Sequence, residues 1–102
     1  MKLLKIQPSI RPDKKLMAHF LMDDGKTTTV HFGAKGYDDY TLKKDNSTKQ
    51  SKEEQRDRYR KRHQGDRINV PNTAGSLSYH ILWGDSTSKT QNIRAFKKKF
   101  NI

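Results

Sequence analysis

The chain has 102 residues, with 22 Lys and Arg against 11 Asp and Glu, giving a net charge of +11, and 30% of its residues are hydrophobic. That length fits one domain, residues 1–102, with a thin core, and the absence of cysteine excludes a disulfide framework and any cysteine-based zinc site. The charge is uneven: residues 43–64 hold nine bases and four acids, residues 89–102 hold five bases and no acid, and the remainder is nearly neutral. Two concentrated basic stretches on so short a chain point to a polyanion as partner.

Residues 2–32 read as β structure. Lys2–Ile6 is a short strand, and Pro8 and Pro12 break regular structure in the connection after it. Leu16–Met22 and Thr27–Phe32 form a hairpin around Asp23-Asp24-Gly25. A three-residue loop with Gly25 at positive φ pairs Ala18 with Val30 and Leu16 with Phe32. Leu16, Ala18, Phe20, Thr28, Val30 and Phe32 then share one face, whereas a two-residue loop splits them between both. His19 and His31 fall on the outer face. Gly33 and Gly36 predict a turn with unusual dihedrals. Asp38 and Asp39 are read as ion-pair partners of nearby bases, because a catalytic carboxylate pair needs a cleft and contrasting environments.

Residues 43–50 are polar and aperiodic, which predicts a flexible loop. Ser51 with Glu54 makes a capping box that opens a helix over 51–63, and Gly65 stops it. At 100° per residue, Lys52, Arg56, Arg60 and His63 form one stripe and Arg58 and Arg62 a second, with Tyr59 between. Tyr59 is the helix's one large apolar anchor, read as a docking residue with arginine stems covering its ring. The arginines are read as phosphate contacts, since partners within the helix do not neutralise them. A second helix spans 73–83, with Ala74, Leu77, Ser78, Ile81 and Leu82 as its apolar stripe. A third starts at a Ser86 or Ser88 cap and runs to about Phe100, with Ile93, Phe96 and Phe100 on one side and Lys97, Lys98 and Lys99 at its end. The fold class is therefore α+β, a small antiparallel sheet packed with two to three short helices.

Three segments carry a family resemblance: Phe32-Gly33-Ala34-Lys35-Gly36-Tyr37-Asp38-Asp39-Tyr40-Thr41, Arg58-Tyr59-Arg60-Lys61-Arg62-His63, and Thr73-Ala74-Gly75-Ser76-Leu77-Ser78 with Ile81-Leu82-Trp83-Gly84. Together they resemble small basic proteins of unknown function encoded by large DNA viruses of algae and amoebae. The resemblance implies a viral protein, in a virion or the host-cell interior, associated with packaged DNA or serving as a minor capsid component. It supplies no catalytic residues.

The functional expectation is a non-enzymatic protein that binds nucleic acid phosphates without sequence preference through Lys52, Arg56, Arg58, Arg60, Arg62, Lys97, Lys98 and Lys99. The alternative is a capsid or cement protein whose basic patches meet acidic surfaces of larger subunits. No cofactor or metal is expected, because no two of the four histidines stand three or four residues apart. Residues 1–7 lack the apolar run of a secretory signal and no stretch reads as a membrane span, so neither secretion nor membrane insertion is expected.

Overall fold

A computed structural model describes residues 1–42 and 49–102, with backbone alone for 49–51. Strands β1 (Lys2–Pro8), β2 (Lys14–Leu21) and β3 (Thr27–Ala34) form an antiparallel meander in the order β1-β2-β3. Helix α1 spans Lys49–His63, the short α2 Ala74–Leu77, and α3 Lys89–Phe100. The layout is α+β.

The hairpin is set by its turn. Gly25 adopts φ 84°, its amide donates to the Met22 carbonyl at 2.9 Å, and the Met22 amide donates to Lys26 at 2.8 Å. The resulting register sets Ala18 opposite Val30 and Leu16 opposite Phe32, so Ala18, Phe20 and Phe32 are buried together on one face. β1 adds Leu3 opposite Phe20, with a bulge between Leu3 and Lys5. It runs two residues further than expected, through Pro8, which an edge strand tolerates because its outer amide needs no ladder partner. On the opposite face Gln7 Nε2 lies 2.9 Å from His19 Nε2, and His19 Nδ1 lies 3.0 Å from Thr29 Oγ1. An amide nitrogen only donates, so Nε2 accepts and Nδ1–H donates to Thr29. His31 meets Ser9 Oγ at 2.7 Å. Both histidines are thus outer-face strand residues, as their register requires.

α2 and the turn that continues it cover the apolar face of the sheet. Thr73 caps α2, accepting from the Ser76 amide. From Ser78 to Leu82 the chain departs from the expected α-helix and becomes π-helical, closing with the Trp83 amide on the Ser78 carbonyl at 3.0 Å. The wider turn lets Ile81, Leu82 and Trp83 be buried in succession, which a 100° step would spread around the helix. The expected stripe is corrected at its start: Ala74 is exposed and Ser76 is buried, its hydroxyl donating to the Ile68 carbonyl at 2.9 Å. α3 begins at the Ser88 cap, whose side chain accepts from the Gln91 amide. Phe96 enters the core, and buried Asn92 donates to the Ile81 and Ser86 carbonyls at 2.8 and 2.7 Å.

The glycine-rich turn is fixed from beneath. Buried Asp39 accepts from Lys15 Nζ at 2.6 Å and from the Thr41 amide at 2.8 Å, and the Tyr40 amide donates to Leu82 at 3.1 Å. The expected ion pair is therefore present at Asp39. Gly33 has φ 79°, and a Cβ there would stand 2.7 Å from Leu82 Cδ1 and 3.3 Å from Lys15 Cβ. Backbone conformation and sheet–helix packing both require glycine. Gly33→Ala should cost about 2–4 kcal/mol, the left-handed strain plus overpacking. Gly25→Ala, where a Cβ meets nothing, should cost only the strain, about 1–2 kcal/mol. Urea unfolding of the two variants tests the difference.

A second prediction concerns His80. Its Nε2 lies 2.9 Å from the Ile68 carbonyl, its ring packs against Phe96 and Phe100, and burial lowers its pKa from 6.5, with Lys99 and Arg60 adding to the shift and Ile68 and Asp85 opposing it. The unfolded chain therefore binds the proton more readily. This contribution is fully present above pH 6.5 and is lost as the pH falls towards the folded-state value. Over that interval His80→Gln should lose less stability than the parent, as read by denaturant unfolding across a pH series.

Candidate polyanion-binding surface

Helix α1 carries four arginines, and the fold sorts them by direction. The helix begins at Lys49, two residues before the expected capping box, so Ser51 lies inside it. Of the loop expected over 43–50, Lys49 and Gln50 are instead the first residues of this helix, while residues 43–48, like the Ser51 side chain, lie outside the described residues. α1 docks through Tyr59, which stacks on Trp83 with centroids 4.5 Å apart and planes 10° apart. Tyr59 in turn stacks on His63 at 4.2 Å. Trp83 is 9% exposed, Tyr59 half-buried and the His63 side chain 38% exposed, so three rings lead from core to surface. Burial raises the Tyr59 pKa above 10.0, against a lowering by its hydrogen bond with Ser78.

The stripe of Lys52, Arg56 and Arg60 faces the protein. Arg60 Nε donates to the Trp83 carbonyl at 2.8 Å, its Nη1 reaches Asp85 Oδ1 at 3.0 Å, and the guanidinium lies 5.4 Å from the centre of the Tyr79 ring. Arg56 stands 4.8 Å over Tyr40, with Asp57 at 3.4 Å and the Asp85 carbonyl at 3.4 Å. Lys52 donates to the Leu42 carbonyl. α1 thus docks through Tyr59 as expected, by stacking, while the guanidiniums of Arg56 and Arg60 lie over Tyr40 and Tyr79. The second stripe, Arg58 and Arg62, is exposed together with Lys61. A helix docked by one face leaves the other to solvent, and these cations lie on it.

Lys97, Lys98 and Lys99 are exposed in the last turn of α3. Asn101, at φ 55°, closes that turn by donating to the Lys97 and Lys98 carbonyls. Lys99 Nζ lies 5.8 Å from the Phe100 ring centre. Sequence reasoning missed a groove of about 410 Å³ between the glycine-rich turn and the end of α1, lined among others by Lys14, Tyr37, Tyr59, Arg62, His63 and Asp66. Its sequence signal was Tyr37, a large aromatic in a turn with no apolar pattern to bury it; 71% of it is exposed.

Among the described residues, no group of three or more His, Asp or Glu side chains stands close enough to hold a metal ion. No helix there is long and apolar enough to cross a membrane.

A protein-family model for a family of unknown function, DUF5754, matches residues 4–63. The chain belongs to this family. The matched segment takes in β1 from Leu4, the other two strands, the glycine-rich turn and the whole of α1, and so Tyr37, Tyr59, Arg62 and His63 of the groove, while Asp66, Gly75 and Ser78 lie beyond it. No curated protein and no solved structure matches the chain.

The two faces of α1 should respond differently to mutation. Tyr59→Ala removes a half-buried ring and its stack, and should cost about 2–3 kcal/mol. Arg58→Ala touches an exposed side chain and should change stability by less than about 0.5 kcal/mol. Thermal unfolding monitored by circular dichroism checks both.

Proposed function

We propose that this protein binds nucleic acid through its phosphates, without sequence preference, and performs no catalysis. The observation that carries the reading is the division of α1. Arg56 and Arg60 hold the helix to the core, which leaves Arg58, Lys61 and Arg62 presented on its exposed side. A guanidinium is always charged and offers paired N–H donors that match phosphate oxygens. Lys97, Lys98 and Lys99 add a second exposed cluster on α3. The resemblance to proteins of large DNA viruses supports a viral genome as the polyanion.

Phosphate contacts release counterions, so affinity falls with salt in proportion to their number. If all six cations of these two clusters take part, log K against log salt should have a slope of about −5 on duplex DNA. Arg58→Ala with Arg62→Ala should reduce the magnitude by about 2. The measurement is fluorescence anisotropy with labelled DNA between about 50 and 200 mM salt, the range over which such affinities change steeply. A slope near zero, or a slope unaltered in the double variant, would overturn the reading.

A further inference from the structure

We propose that the groove between the glycine-rich turn and the end of α1 accepts a single nucleic acid strand, with a base stacked between His63 and Tyr37. This deepens, and rests on, the reading of the protein as a phosphate binder.

The first observation is the ring column. Trp83, Tyr59 and His63 stack in succession, and burial decreases along the series. Imidazole usually gains little from ending such a column in water. Here Asp66 Oδ2 lies 2.5 Å from His63 Nδ1 and holds the ring in orientation. The result is a planar surface at the groove wall whose position is set by the core through two further rings. Any base presents a π-face, so a fixed aromatic plane accepts all four without reading their edges.

The second observation is independent of the first. Tyr37 lines the same groove, on the turn anchored by the Asp39–Lys15 pair, and is 71% exposed. Its place in the fold leaves most of the ring in solvent. Lys14 and Arg62 also line the groove and supply cations beside the two rings. Of the acids along it, Asp66 is engaged by His63, and Asp38 accepts from the Asp39 amide at 3.0 Å. Cations beside aromatic planes are the combination that binds single strands, because both the phosphates and the unstacked bases find partners. A duplex keeps its bases stacked on one another and offers the groove only phosphate.

The test compares three labelled probes of equal length: a single-stranded oligodeoxythymidylate, an abasic strand with the same phosphates, and a duplex. The single strand should bind roughly 5- to 100-fold more tightly than the abasic strand, the range for one stacked base. Tyr37→Ala should bring the ratio of the two affinities towards one, and the exposure of Tyr37 means that lost folding does not explain the result. His63→Phe should keep the preference and His63→Ala should reduce it, with a melting curve taken for each. Equal affinity for the single and abasic strands, or a preference unaffected by Tyr37→Ala, overturns the groove proposal and leaves the phosphate reading standing. Failure of all three probes to bind at about 50 mM salt removes both readings.

Discussion

The position of the basic helix depends on one seam, where Tyr59 lies against Trp83 and Arg60 donates to the carbonyl of the same tryptophan. α1 has almost no apolar surface of its own, so no stripe of leucines or isoleucines can seat it. A stacked ring pair supplies the apolar contact. The guanidinium satisfies a carbonyl at the end of the π-helical turn, a place where the ladder itself offers no donor. Trp83 thus receives the helix through both its side chain and its backbone. The π turn matters here, because it lets Trp83 come directly after two core residues and still reach the seam.

That arrangement has a cost in charge. Arg60 meets Asp85, Arg56 meets Asp57, and both lie near aromatic faces, with side chains 25% and 18% exposed. Charge–π and charge–carbonyl contacts hold partly desolvated cations without the full expense of a buried ion. The glycine-rich turn uses a buried ion pair instead, Lys15 with Asp39, whose carboxylate also takes the Thr41 amide. Asn92 performs the uncharged version on α3, joining the π-helical turn to the next loop through both its amide donors. In a domain with few apolar residues, saturated polar junctions of this kind fix the loops in single positions.

Sequence reveals the parts of this structure that are governed by near neighbours. The hairpin register comes from the alternation between Leu16 and Phe32 and from the demand of Asp23-Asp24-Gly25 for one loop length. A serine cap at position 86 or 88 and the inward Phe96 are equally local, and the structure selects Ser88. The direction of each arginine is not local. Arg60 turns inward because Trp83 and Asp85 lie beneath it, more than twenty positions along the chain, and a helical wheel contains no trace of either. The stripes themselves are legible, but which one docks is not. Asn92 and Ser76 look like surface residues until the carbonyls that need them are in place. The groove escapes for the same reason, since its walls come from the turn after β3 and from the end of α1. Tyr37, a tyrosine outside any apolar pattern, is the one residue of the groove that a sequence could have singled out.

These inward arginines also alter what the net charge means. A formal charge of +5 over 43–64 describes the field at a distance, which steers an approaching polyanion whatever the side chains are doing. Counterion release is different, because it requires a cation to reach a phosphate. Arg56 and Arg60 contribute to the first and are held away from the second. To reach phosphate they would have to leave Tyr40, Trp83 and Asp85, and α1 would lose its seat. If the protein binds nucleic acid as proposed, long-range attraction and close contact fall to different members of one basic stretch, and the strength of steering overstates the number of contacts made. On the proposed reading the close contacts fall to Arg58, Lys61 and Arg62 on α1 and to the end of α3, which are exposed. A modest cluster of this kind holds a strand firmly only with some further, uncharged contribution, and aromatic planes at His63 and Tyr37 would supply it without adding to the salt dependence.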